Sequence, residues 1–196
     1  MLTKSTLLAV ASVTLLAACS DVQTTRSTPL RALPSVAPVQ AAPLADYKIN
    51  RVRVVVPSIL SVSEANKLLP PADIVWREDP YGDRRAQVQA IVDKAVRQGL
   101  SGMHGREAVN VDITVRRFHA LSQMARTTVG GNHNIQFDMV IRDAQSGRQI
   151  GETAHISASL KAFGGKRALA AEKRGETQKV RISRHISAVM KQYFQL

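Results

Sequence analysis

The sequence predicts an α+β fold: one mixed, mostly antiparallel sheet of about four strands with helices packed on one face, preceded by a disordered tether. Three observations carry this. Three runs in the second half of the chain alternate apolar and polar residues with period two. Two segments, one before those runs and one at the C-terminal end, set apolar residues at helical spacing. The stretch before residue 47 shows neither period, only regularly spaced prolines.

The elements follow in chain order. Met1 to Lys4 form a short basic start, an apolar run follows over 7–16, and Ala17-Ala18-Cys19 closes it. These are the parts of a secretory signal, and a run of roughly ten apolar residues is too short to span a bilayer. Leu16-Ala17-Ala18-Cys19 resembles the lipobox of bacterial lipoproteins, in which small side chains admit the chain to a peptidase and the thiol accepts a diacylglycerol. Residues 1–18 are therefore read as a lipoprotein signal peptide and Cys19 as the lipidation site. Cys19 is the only cysteine, so it has no disulfide partner. Two or three acyl chains on one residue give stable anchoring where a single chain does not. Ser20, rather than an aspartate, follows Cys19. Under the sorting rule of enteric bacteria this places the protein on the periplasmic face of the outer membrane.

In residues 20–46, Pro29, Pro34, Pro38 and Pro43 forbid a helix, which leaves a solvated tether able to reach roughly 80 Å in polyproline geometry. A single folded domain is expected over 47–196. Val52, Val54 and Val56 alternate with Arg51 and Arg53 as a half-buried strand. Ser61 and Glu64 fit a capping box opening a short helix through Leu68. Asp83 is placed to cap a helix over 84–98, with Val88, Ile91, Val92 and Ala95 on one face and Gly99 as its C-terminal stop. Val109, Val111, Ile113 and Val115 are the inward set of the next strand; Ile135, Phe137, Met139 and Ile141 that of the following one; and Ile150, Ala154, Ile156 and Ala158 that of the last. The turn 143–147 joins the second and third of these, the loop 119–133 reads as long and mobile, and 161–175 reads as a basic linker. A final helix over 176–194 shares Ile182, Ile186, Val189, Met190 and Tyr193 on one face and leaves Lys179, Arg181, Arg184 and Lys191 in water.

The formal net charge of +12 is uneven. Residues 161–196 carry nine basic residues against Glu172 and Glu176, so the excess belongs to the C-terminal tail. Such a charge raises nucleic acid as a partner, but export and the lack of aromatics among the basic residues exclude it. An anionic lipid surface, or an acidic surface on another envelope protein, is the expected counter-charge.

No catalytic or cofactor site is expected, and no metal site. The five histidines, at 104, 119, 133, 155 and 185, show no metal-ligand spacing and read as solvated surface residues. Gly164-Gly165-Lys166 lacks the spacing of a phosphate loop, and no Gly-x-Ser-x-Gly elbow occurs. Asp73, Glu78, Asp79 and Asp83 lie among Arg77, Arg84 and Arg85, where salt bridges and helix capping account for them. Two candidate binding surfaces remain. One is the 72–85 loop, with Trp76, Arg77 and Tyr81, either as a plug at one end of the core or as a partner-binding edge. The other is the basic tail, through Lys166, Arg167, Lys173 and Arg174.

Residues 72–84 (ADIVWREDPYGDR), following Ser63-Glu64-Ala65-Asn66, resemble a family of alphaproteobacterial lipoproteins known only as a domain of unknown function. The resemblance covers most of the mature chain, includes the lipobox, and implies no activity. The strand and helix pattern is more distantly similar to auxiliary envelope lipoprotein domains that serve lipid transporters, peptidoglycan synthases and curli secretion. The expectation is thus a membrane-anchored periplasmic lipoprotein acting as a non-enzymatic binding or accessory module. The competing readings are a purely structural envelope lipoprotein, and an enzyme with a site built from the 119–133 and acidic loops.

Overall fold

The computed structural model describes residues 46–196. They run β1 (Tyr47–Val55), β2 (Ile74–Val75), α1 (Arg84–Gly99), β3 (Glu107–His119), α2 (Gln123–Thr127), β4 (Gly131–Asp143), β5 (Gln149–Ser157), β6 (Leu160–Ala162), α3 (Gly165–Lys173) and α4 (Gln178–Phe194). The signal peptide, Cys19 and the tether up to residue 45 lie outside the described residues. Asp46 is already engaged: its carbonyl accepts from the Glu107 amide at 2.8 Å.

Alternation sets the sheet. Val52 faces Val111 and Val54 faces Ile113 across the parallel β1–β3 pair, while Arg53 and Asp112 meet on the opposite face. Val111 faces Ile141 and Ile113 faces Met139 across the antiparallel β3–β4 pair. The strand order is β1-β3-β4-β5, with β2 on β3 and β6 on β4. Six strands therefore replace the expected four. The sheet is nevertheless only four positions wide, because β1 and β2 share one edge of β3 and β5 and β6 share one edge of β4. The two added strands are two and three residues long, too short to show a period.

Helices α1 and α4 cover the apolar face. Asp83 caps α1 by accepting from the Arg85 and Ala86 amides, and Thr177 caps α4 by accepting from the Val180 amide. Val88, Ile91, Val92, Ala95 and Val96 of α1 and Ile182, Ile186 and Met190 of α4 join the sheet residues in one cluster. Gly99 is not the stop signal it resembles in sequence, since α1 runs through it to a cap at Leu100. It is the point of closest approach between the helices: a Cβ there would sit 2.7 Å from Met190 Cβ and 2.8 Å from the Ser187 carbonyl oxygen.

Other expectations are corrected. No helix forms over 61–68; the segment is irregular, with Val62 bridging to Ile74. Ser61 and Asp73 hold each other there: the Ser61 amide and hydroxyl both donate to the Asp73 carboxylate, at 2.9 and 2.7 Å. The Glu64 carboxylate is taken by Arg84 rather than by a helix amide. The 119–133 loop contains α2, and the 161–175 linker is β6 followed by α3. On α4, Ile182, Ile186 and Met190 are buried as expected, but Lys179 and Arg181 are tied to neighbours rather than left in water.

Candidate functional site

The loop over 72–85 is built as a keystone. Trp76 is 0% exposed and meets Phe118 edge-on at 5.7 Å, so it plugs the core. Its indole Nε1 donates to Asp79 at 2.9 Å, and the Lys179 ammonium donates to the same carboxylate at 2.7 Å. Burial pushes the Asp79 pKa up, but the bonds from Lys179 and Trp76 outweigh it and hold the carboxyl below its ordinary range. Glu78 accepts from the Lys179 amide in the first turn of α4, where a carboxylate suits the helix dipole. Arg84 is buried and grips Glu64 through two bonds of 2.6 and 3.1 Å, which lower the Glu64 pKa. Arg77 pairs with the same Glu64. Of the three candidate residues here, Tyr81 is fully exposed, at 87%, and Arg77 is half-buried. Trp76 and Arg77 spend their chemistry inside the fold.

The four basic candidates meet solvent together. Lys166, Arg167, Lys173 and Arg174 are all exposed, on α3 and at its C-terminal cap. The buried side of α3 is alanine, Ala168 and Ala171. It lies against α2, with Leu121, Ala125 and Ala162 as a second small apolar cluster. Two features hold this lobe. Arg126 pairs with Glu172, and the backbones of Gly130 and Gly164 touch, so that a Cβ at Gly164 would lie 2.1 Å from the Gly130 nitrogen. The 64–70 segment joins the lobe as well: the Ser122 hydroxyl donates to the Lys67 carbonyl at 2.5 Å, and Asn66 Oδ1 accepts from the Met124 amide at 2.7 Å.

The electrostatics of the lobe are lopsided. Its carboxylates are already engaged, Glu172 by Arg126 and Glu176 by Arg184. None of the four basic candidates has a carboxylate in ion-pair range among the described residues. Arg167 and Arg181 both stack on the Phe163 ring, 4.0 and 3.5 Å from its centroid. Burial, and then the neighbouring Arg167 charge, lower the Arg181 pKa. The first turn of α3 contains no acid, although Lys166 and Arg167 lie there.

The histidines divide. His155 is on the open face, its Nδ1 2.6 Å from Asp138, which also pairs with Arg116 at 3.0 Å. His119 and His133 are buried, against the solvated reading. His133 extends the inward parity of β4 two residues before Ile135, a signal present in the sequence. Its two ring nitrogens have no partner, and burial, assisted by Arg181, lowers its pKa to about 4. The irregularity at 115–117 in β3 shifts the inward parity to Phe118 and Ala120 and turns His119 to the other face, where it is buried beside the Ala72 carbonyl, 3.1 Å from its Nδ1. A groove of about 630 Å³ runs between α1 and α4, lined by Ile91, Lys94, Val180 and Arg184 among others. Among the described residues no three His, Cys, Asp or Glu are grouped to hold a metal, and no helix is long and apolar enough to cross a membrane.

A family model described as a family of unknown function, DUF6778, matches residues 47–196. No curated protein matches the chain. Among solved structures, the chain is similar to a provisionally assigned lipoprotein from Caulobacter crescentus CB15, at 15% identity and a TM-score of 0.32, over 55% of this chain and 83% of that one. It is also similar to a crystal structure described only as an uncharacterized protein, at 15% identity and a TM-score of 0.31, over 79% of this chain and 89% of that one. At those scores neither likeness bears on function.

Proposed function

The chain belongs to this family of unknown function, and for it we propose a lipid-anchored, non-enzymatic binding module of the bacterial envelope, held by Cys19 on the periplasmic face of the outer membrane. Its basic lobe contacts anionic phospholipid. One observation carries the reading: Lys166, Arg167, Lys173 and Arg174 are exposed side by side without carboxylate partners among the described residues, while the acids of the same lobe are consumed by Arg126 and Arg184. Each such charge near an acidic membrane contributes about 1 kcal/mol, screened over a Debye length of roughly 8 Å at physiological salt.

The test uses residues 47–196, which hold every buried apolar residue described and the whole family match. Binding is measured to vesicles with and without phosphatidylglycerol over a salt series, beside a variant with the four basic residues changed to Gln. Binding that needs phosphatidylglycerol, falls with salt and is weakened in the variant supports the reading. Equal binding by the two proteins, or binding indifferent to salt, overturns it. A second reading, docking of another envelope protein, is favoured by the α1–α4 groove; capture of a defined envelope protein by both the wild type and the Gln variant would select it.

A further inference from the structure

Resting on the reading that the lobe meets anionic lipid, we infer that it docks as an interfacial wedge, with Leu68, Leu69 and Val129 entering the boundary between headgroups and acyl chains and Lys67, Lys166 and Lys173 lying among the phosphates. Apolar side chains exposed singly are normal on any surface. Here they are concentrated. Of ten exposed large apolar residues among those described, five (Leu68, Leu69, Met124, Val129 and Leu169) belong to this lobe, with Leu69 at 79% and Val129 at 73% exposure.

The local structure holds these side chains out. Leu68 and Leu69 are fixed between the Lys67 carbonyl, bonded to Ser122, and the buried Pro70. Val129 follows Thr128, the C-cap of α2, and its neighbour Gly130 is pinned against Gly164. Because α2 is five residues long, about 8 Å, the two apolar points flank one short helix, with Met124 between them. Lys67 adjoins Leu68 in the chain, and Lys166 follows the Gly164–Gly165 step that meets Thr128 and Gly130.

That composition separates a lipid occupant from a protein one. The cores of protein interfaces are depleted in Lys and enriched in aromatic residues. This lobe departs from that pattern in its lysines: Lys67, Lys166 and Lys173 are all exposed. Leucine beside Lys and Arg is a feature of surfaces that lie in the bilayer interface, where apolar burial adds to attraction for anionic lipid. The opposite end of the domain, at the 143–147 turn, carries no such residues and stands about 40 Å away along the thirteen residues of β4.

Cys19 is the only cysteine, so residues 47–196 contain none and a single introduced cysteine labels one site. Leu69→Cys and, as a control on the far turn, Gln145→Cys are labelled with an environment-sensitive dye and mixed with phosphatidylglycerol vesicles. The expected result is a blue shift and protection from an aqueous quencher at position 69 but not at 145. Leu68→Ser with Leu69→Ser should weaken partitioning about tenfold at fixed salt while keeping its salt dependence. Leu69 is 79% exposed and Leu68 51%, and neither belongs to a core cluster, so urea unfolding of the double variant should stay close to wild type. Vesicle binding with the position 69 label still in water, or serine-variant binding equal to wild type, overturns the wedge and leaves the electrostatic contact standing. Shielding of position 69 by lipid-free envelope protein and not by vesicles overturns it in favour of a protein partner. No vesicle binding by the unsubstituted domain overturns the electrostatic contact itself, and the wedge with it.

Discussion

Where α1 and α4 lie on the sheet, the core includes Trp76, Phe118, Phe137, Ile182 and Met190; in the α2–α3 lobe the apolar cluster is Leu121, Ala125 and Ala162, and the buried side of α3 is Ala168 and Ala171. The first set removes far more apolar surface from water, and stability scales with that area. The second relies on close backbone approach at Gly130 and Gly164 and on the Arg126–Glu172 pair. The two regions also treat charge differently. In the body, Arg84 is buried against Glu64, and Lys179 is paired with Asp79. In the lobe, Lys and Arg point into water and apolar residues stay exposed beside them. A region that leaves Lys166, Lys173 and Arg174 without carboxylate partners and Leu68, Leu69 and Leu169 exposed leaves those groups available to something outside the chain.

The sharpest way to break this comparison is to attack the body. Trp76→Ala should cost about 3–5 kcal/mol, the usual range for emptying a large aromatic site in a core, and it also removes the donor to Asp79. Urea unfolding would report it as a lower midpoint, while vesicle binding by the molecules still folded should be unchanged. A loss under about 1 kcal/mol would mean that the loop is an appendage and not a keystone.

His133 tests the body through pH. Its folded pKa of about 4 lies below the ordinary 6.5, so between those values the unfolded chain binds more protons. Its contribution to stability is therefore complete above pH 6.5 and is lost as pH falls toward 4, reaching about 3 kcal/mol at the lower limit. His133→Leu removes the titration and the two unpartnered nitrogens together. Stability of the variant should be flatter than wild type across pH 4–6.5 and no lower at pH 7. A wild-type profile flat over this window would show that the ring gains a proton acceptor or water on folding.

The body was legible in the sequence because its elements are long enough to show a period. The expected 84–98 helix is α1 with one more residue, and the inward sets of β3 and β4 are the buried ones. The lobe was not. Helix α2 has five residues and β6 three, and the buried side of α3 is alanine, so no apolar stripe marks it among Lys166, Arg167 and Lys173. The signal that was present is propensity and not period: Lys166 to Lys173 are all strong helix formers, and contact with α2 fixes the short helix in place. The exposed Lys and Arg of the lobe were readable from charge alone; Leu68, Leu69 and Val129 were not, because exposure of an isolated leucine has no sequence signature.

A smaller effect separates how the two regions are held. Glu172→Gln breaks the partly buried pair with Arg126, and the global cost should be about 1 kcal/mol, because the main core is untouched. The local effect should be larger than the global one. Amide exchange in α2 and α3 should quicken while α1 and α4 keep their protection. Loss of protection across all four helices would show that lobe and body unfold as one unit.

The smallest expected change has the opposite sign. Lys166 lies in the first turn of α3, where amide groups present partial positive charge and a cation is unfavourable; no acid in that turn offsets it, and Gly164 offers no side-chain cap. Lys166→Glu should therefore raise the stability of α3 by about 0.3–1 kcal/mol, seen as slower amide exchange there. The same change reverses one charge in the face proposed to meet anionic lipid, so vesicle binding should weaken. Gain of helix stability with loss of binding is the signature of a residue kept for contact at the expense of local structure. If Lys166→Glu instead destabilises α3, Lys166 supports the fold, and the comparison between a body built for stability and a lobe built for contact fails at that residue.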